Sequence, residues 1–130
     1  MVNLVVDTSA IVAIVMKEPE AADFIAALAS ARTRVLTSVN LLEAQIVLTF
    51  GKGMPAGTAE DLVARENIEI TSFDEYLSNL AFDAYRRYGK GRHPAKLNMG
   101  DCAAYALAKS RGWPLLCKGE DFTQTDIERA

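Results

Sequence analysis

The fold is decided by the stretch Val2-Asn3-Leu4-Val5-Val6-Asp7-Thr8-Ser9-Ala10, in which an apolar run gives way to a carboxylate and two hydroxyls. Val2 to Val6 is rich in β-branched residues, which predicts a strand buried on both faces, as in parallel sheets. Asp7 before Thr8 and Ser9 is typical of a helix start. Asp7 is therefore expected at the carboxyl end of a strand, where α/β sheets gather their ligands.

The alternation of strand and helix continues along the chain. Further strands are predicted at Arg34–Thr37, Asn67–Thr71 and Pro114–Cys117, with a short final strand near Ile127. Helices are predicted at Thr8–Met16, Pro19–Ser30, Ser38–Phe50, Thr58–Glu66 and Asp74–Tyr88, and from Asn98 until Gly112 ends the last one. This order predicts one domain, residues 1–130, built as an α/β sandwich with a mainly parallel sheet.

The composition is that of a soluble globular protein, with 50% hydrophobic and 24% charged residues in 130. No apolar run approaches the roughly 20 residues of a membrane span, and the N-terminus lacks the signature of a signal peptide. These features predict a cytoplasmic protein without a membrane partner. The only cysteines, Cys102 and Cys117, lack the spacing of a zinc or redox site and are expected to be buried thiols.

Four carboxylates stand where a fold gains little from them, namely Asp7, Glu43, Asp101 and Asp121. The first three have no Lys or Arg three or four residues away, which excludes a local helical ion pair. An ionised carboxylate near a core is costly unless it is paired, hydrogen-bonded or bound to a metal. Several carboxylates meeting in one cleft would form a site for a hard divalent cation.

Each of these acids also has a structural interpretation. Asp7 could cap the helix that follows it, and Asp101 could complete a capping box with Asn98. Asp121, which comes just beyond the predicted strand Pro114–Cys117 and so near another strand end, could lie in an exposed turn. Glu43 is hardest to explain in this way, because its neighbours on the predicted helix are mostly apolar.

Two hydroxyl side chains follow the first carboxylate directly. Thr8 and Ser9 could orient a carboxylate, a water or a phosphate, or could only cap the helix. The lone His93 lies in a predicted loop and is assigned no catalytic role. No Ser-His-Asp or Cys-His arrangement and no glycine-rich phosphate loop is visible, so nucleophilic catalysis of those classes is not indicated.

One segment is strongly basic although the chain has a net charge of −3. Residues 84–100 contain no acid and carry the candidate RNA-binding side chains Arg86, Arg87, Lys90, Arg92 and Lys96. Tyr85 and Tyr88 are interleaved with them, so the segment could hold a phosphate backbone beside the acidic site. The alternative is a solvated helix end and loop.

Taken together, these residues resemble the PIN-domain ribonucleases, and within them the VapC toxins of bacterial type II toxin–antitoxin systems. The ordered motifs are Val5-Val6-Asp7-Thr8-Ser9-Ala10, Thr37-Ser38 with Leu42-Glu43-Ala44, His93 to Cys102, Ala104 to Ala108, and Pro114 to Phe122 with Thr125-Asp126-Ile127. Met99 and Cys117 depart from the pattern, since aromatic residues are usual there. Both exchanges are apolar and should alter packing rather than chemistry.

The resemblance implies a PIN-like α/β/α sandwich with a central, mainly parallel sheet of four to five strands. It implies a single-strand-selective endoribonuclease that uses Mg²⁺ or Mn²⁺, forms a homodimer, and is neutralised by a cognate VapB-type antitoxin. Asp7 and Asp101 would be the main metal ligands, with Thr8 or Ser9 supporting them. Glu43 would orient a ligand or water, and Asp121 would complete the shell or bind a second ion.

Three alternatives remain beside the toxin. The first is a housekeeping RNA-processing nuclease without an antitoxin, which the absence of a small upstream reading frame would favour. The second is a non-catalytic PIN-fold binding module, against which the retention of all four acids argues. The third is a phosphate-handling domain with Asp7 as nucleophile, but Ser9 stands where that pattern requires a second Asp.

Overall fold

The computed structural model describes all 130 residues, Met1–Ala130. Its strands are β1 Asn3–Val6, β2 Thr33–Thr37, β3 Glu69–Thr71 and β4 Leu115–Leu116. Its α-helices are α1 Thr8–Val15, α2 Ala21–Ser30, α3 Ser38–Ile46, α4 Thr58–Arg65, α5 Glu75–Tyr88 and α6 Met99–Arg111. None of these helices has the length and apolar character to cross a bilayer.

The four strands form one sheet in the order β3-β2-β1-β4, and every pairing is parallel. The prediction of an α/β fold around a mainly parallel sheet of four to five strands is confirmed. β1 lies inside the sheet and pairs with β2 and β4, as its continuous apolar run predicted. The carboxyl ends of all four strands consequently meet at one edge.

Two apolar cores lie on opposite faces of the sheet, because successive strand residues point to opposite sides. Val5 and Val35 pack in the core that contains residues of α5 and α6. Val6 and Leu36 pack in the other core, against residues of α1, α2, α3 and α4. The result is a three-layer α/β/α sandwich with helices on both faces of the sheet.

Two strand predictions differ from the structure. The third strand begins at Glu69 rather than Asn67, because Asn67 has φ 58°, a left-handed conformation that Asn tolerates but a strand does not. The final strand predicted near Ile127 is reduced to a single bridge between Leu115 and Arg129. Both differences concern the edges of the sheet.

Two helix predictions also differ. The helix expected from Pro19 begins at Ala21, after a turn. The helix expected over Ser38–Phe50 is α-helical only to Ile46 and continues as a π-helix over Val47–Gly51. A π-helical turn is wider than an α-helical one and is frequent beside functional sites. Here its first residue lies in the wall of the cavity described next.

Candidate active site

A cavity of about 350 Å³ opens where the first residues of α1 and α6 meet α3 and the loop after β4. Its wall contains five carboxylates and one ammonium group. The lining residues are Asp7, Thr8, Ser9, Val12, Glu18, Glu43, Val47, Asn98, Asp101, Lys118 and Asp121. The structure therefore brings all four predicted carboxylates, and both predicted hydroxyl residues, to one cavity.

Asp7 is the N-cap of α1, but capping uses only one of its two carboxylate oxygens. Its Oδ2 accepts hydrogen bonds from the Ser9 amide at 3.0 Å and the Ser9 hydroxyl at 2.6 Å. The Ser9 hydroxyl in turn accepts a bond from the Lys118 amide at 2.9 Å. The second oxygen of Asp7, Oδ1, is buried and has no partner. Helix capping alone does not explain an unpartnered buried oxygen, which is costly unless a ligand binds it.

Asp101 takes part in a complete capping box. Its Oδ2 accepts from the Asn98 amide at 3.1 Å, and its own amide donates to Asn98 Oδ1 at 2.9 Å. The structural interpretation of Asp101 is therefore correct, but it uses only one carboxylate oxygen. The residue lines the cavity and its other oxygen, Oδ1, accepts no hydrogen bond, so that oxygen is available to a ligand.

Glu43 reaches the cavity from the middle of α3. Its carboxylate lies against Gly100 in the first turn of α6, where a Cβ would collide with both carboxylate oxygens. A carboxylate is favoured near a helix N-terminus, which explains how an acid is kept on an otherwise apolar stripe. Asp121 is exposed and lines the cavity from the loop beyond β4.

The two most buried carboxylates hold their protons more tightly than usual. Burial, then the negative charges of Glu43 and Asp121, raises the pKa of Asp7 to about 6, although the bonds from Ser9 oppose the shift. Burial, and then repulsion chiefly from Asp7, raises the pKa of Asp101 to about 7 against the hydrogen bond from Asn98. Shifts with this cause are typical of carboxylates assembled for a ligand.

Asn40, which the sequence analysis did not single out, connects three segments around the site through hydrogen bonds of its side chain. Its side-chain amide donates to the Gly100 carbonyl at 2.9 Å and to Thr8 Oγ1 at 3.2 Å. Its Oδ1 accepts from the Thr37 hydroxyl at 2.7 Å. This buried network joins the ends of β1 and β2 to the start of α6. It also gives the role of Thr8, whose hydroxyl donates to the backbone carbonyl of Asn40 rather than to a carboxylate.

Replacing Asn40 by Leu should lower the free energy of unfolding by about 2–3 kcal/mol, because in a buried place the Gly100 carbonyl loses a donor and the Thr37 hydroxyl loses its acceptor. Urea unfolding followed by circular dichroism measures the change. Gln45→Leu, on the same helix but half-buried and without a side-chain hydrogen bond, is the matched control and should change stability by less than about 0.5 kcal/mol. Equal effects of the two substitutions would contradict a structural role for the network.

The five basic side chains of the segment 84–100 do not line the cavity, although Asn98 at its end does. Arg86 lies over the Phe82 ring at 5.9 Å, and Arg87 lies over Tyr88 at 4.9 Å and donates to its hydroxyl. All five side chains are exposed. Their binding of RNA stays a prediction, and it would concern a surface outside the cavity.

Lys118 and Glu18 also line the cavity, and the sequence analysis missed both. Lys118 lies two residues beyond the end of β4, close to the carboxyl edge of the sheet, so the strand-end argument could have found it. Glu18 lies in the turn after α1, and only the three-dimensional fold brings it to the same cavity. The Lys118 ammonium lies 2.9 Å from Glu18 Oε1 and 3.6 Å from Glu20 Oε1.

The donor set fits a hard divalent cation, although no three of these side chains are close enough together to chelate an ion. All the carboxylate donors are oxygen atoms, which Mg²⁺ and Mn²⁺ prefer. Mg²⁺ usually keeps several waters and needs only one or two carboxylates. The unpartnered Oδ1 of Asp7 and the raised pKa of Asp101 are the observations that favour such an ion.

Comparison with known proteins gives a consistent result. The model of the family described as PIN domain matches residues 4–128. The ribonuclease VapC30 of Mycobacterium tuberculosis is 44% identical over 125 residues, which cover 95% of each chain. Among solved structures, M. tuberculosis VapC20, described as a sarcin-ricin-loop-cleaving toxin, has TM-score 0.78 at 16% identity and 98% coverage of both chains. A toxin–antitoxin complex from Klebsiella pneumoniae has TM-score 0.70 at 14% identity, covering 95% of this chain and 93% of the other.

Proposed function

Because this chain belongs to the PIN-domain family, and within it to the VapC ribonucleases, we propose that it is an endoribonuclease that requires Mg²⁺ or Mn²⁺. The observation that carries the metal dependence is the buried, unpartnered Oδ1 of Asp7 in a cavity with four other carboxylates. Five acids in one cavity are unfavourable without a cation. They suit a site in which a cation and a phosphodiester bind together.

The four carboxylates have different proposed roles. Asp7 and Asp101 would bind the ion directly or through water, with Ser9 holding Asp7 in place. Glu43 would orient a ligand or the attacking water, and Asp121, on the exposed side, would complete the shell or serve a second ion. When bound, the ion lowers the pKa of a bound water and neutralises charge on the phosphoryl oxygens.

Chelation tests this function directly. Purified protein freed of antitoxin should cleave single-stranded RNA with Mg²⁺ or Mn²⁺, and EDTA should abolish cleavage that excess Mn²⁺ then restores. The same ions should raise the melting temperature, because a ligand that binds only the folded state stabilises it. Cleavage that persists in EDTA, with no change in melting temperature on adding ions, would contradict the proposal.

The biological role we propose is that of a toxin held inactive by a cognate VapB-type antitoxin in the bacterial cytoplasm. The named relative and the Klebsiella complex support this role over a housekeeping nuclease. Expression of the chain alone should arrest growth, and co-expression of the small protein encoded next to it should restore growth. Growth arrest that this protein does not relieve would favour the housekeeping nuclease.

A homodimer is also proposed, and an exposed apolar face supports it. Three adjoining grooves cross α3, the π-helical turn, α5 and the start of α6, and neighbouring grooves share lining residues. The large exposed side chains on this face are Leu42, Ile46, Phe50, Phe82 and Met99. Contiguous apolar surface of this kind marks interaction sites.

Sedimentation should give twice the monomer mass, and Phe82→Glu should give the monomer; a monomeric wild-type protein would rule the dimer out.

A further inference from the structure

Lys118 is the only basic residue in the wall of the acidic cavity, and none of the proposed roles uses it. Its ammonium pairs with Glu18 at 2.9 Å and lies 3.6 Å from Glu20. Its backbone amide donates to Ser9 Oγ, which holds Asp7. The backbone of Lys118 is therefore fixed beside the site, while its side chain is 34% exposed.

A phosphodiester that enters this cavity meets strong repulsion from its carboxylates. A divalent ion offsets only part of that charge, and the basic segment 84–100 contributes no basic side chain to the wall. Lys118 is thus the one protein cation that lies where a phosphate must come. A partly exposed ion pair contributes little stability, so the ammonium can exchange Glu18 for a phosphate oxygen at small cost.

We propose that Lys118 binds a non-bridging phosphate oxygen of the RNA at the rim of the cavity, and that Glu18 holds the ammonium there until RNA arrives. This inference rests on the proposed ribonuclease function. It makes Lys118 a substrate-binding residue and Glu18 a positioning residue. The alternative is that the Lys118–Glu18 pair only fastens the loop after β4 to the turn after α1.

Cleavage kinetics at several salt concentrations separate these two roles. Lys118→Gln should lower kcat/KM by about ten- to a hundredfold, the effect expected for one charged hydrogen bond. It should also reduce the slope of log kcat/KM against log salt by about 0.7, because one phosphate contact with a single strand is lost. Lys118→Arg keeps the charge and should retain most of the activity. Glu18→Gln should lower KM by a few-fold and steepen the salt slope, because the ammonium then keeps only the more distant Glu20 as a partner.

The controls distinguish failure of this inference from failure of the function. Arg65→Gln removes a surface cation that pairs with Glu66 outside the cavity, and it should leave the salt slope unchanged. If Glu18→Gln and Lys118→Gln lower both the activity and the melting temperature to a similar extent, the ion pair only stabilises the fold and the inference is wrong. It is also wrong if Lys118→Gln cleaves like the wild type while Asp7→Asn is inactive. If Asp7→Asn cleaves like the wild type, Asp7 is excluded from the metal site, and the proposed function, as assigned to this cavity, fails.

Discussion

The substitution Asp7→Asn should lower the rate of RNA cleavage by about a thousandfold in a protein that remains folded. Asn is nearly isosteric and its amide oxygen can still accept the two bonds from Ser9, so the start of α1 should be kept. What is lost is the negative charge on the unpartnered Oδ1, the atom that we propose binds the ion. Loss of a ligand worth about 4 kcal/mol in the transition state corresponds to about three orders of magnitude in rate.

The effect of Mg²⁺ on the melting temperature shows whether the lost activity is caused by lost metal binding. Mg²⁺ should raise the melting temperature of the wild-type protein but not of Asp7→Asn, whereas circular dichroism of the two proteins should coincide. Asp23→Asn, which neutralises an exposed acid in the first turn of α2, is the matched control and should behave as the wild type does. Undiminished cleavage by Asp7→Asn would exclude Asp7 from the metal site.

The order of elements could be predicted from the sequence because each depends on local chemistry. The run before Asp7 predicted an interior strand, and Asn98 with Gly112 predicted the ends of α6. The features that the sequence did not predict depend on distant parts of the chain. The π-helical turn after Ile46 has no local signature, and neither does the reduction of the last strand to one bridge.

The residues of the candidate site also divide into those that the sequence predicted and those that it did not. The strand-end argument placed Asp7 and Asp121 near one edge of the sheet, but only the resemblance to a family joined Glu43 and Asp101 to them. Asn40 gave no signal, because one amide among apolar residues of a helix does not reveal partners 32 and 60 positions away. Its network nevertheless fixes the distance between α1 and α6, and so the distance between the two main carboxylates.

The same carboxylates predict how stability depends on pH. Without divalent ions, the free energy of unfolding should fall by about 3 kcal/mol as the pH rises from about 5 to about 8. Asp7 and Asp101 have raised pKa values of about 6 and about 7 in the fold, so near pH 5 the folded state binds more protons than the unfolded state. Their contribution to stability is therefore fully present only below the unfolded pKa of 3.8, is about half present near pH 5, and is lost as the pH passes through the folded values.

Urea unfolding at several pH values measures this dependence, and two variants identify its source. Asp101→Asn should be more stable than the wild type near pH 8 and should show a weaker pH dependence, because it carries no charge to bury. Asp23→Asn, which removes an exposed acid outside the cavity, should keep the full dependence. Saturating Mg²⁺ should restore stability near pH 8, because the ion binds the ionised carboxylates and opposes their repulsion. A free energy of unfolding that rises over this interval in the absence of ions would mean that burial and mutual repulsion do not raise the pKa values of the two acids, and the proposed metal site would lose its electrostatic basis.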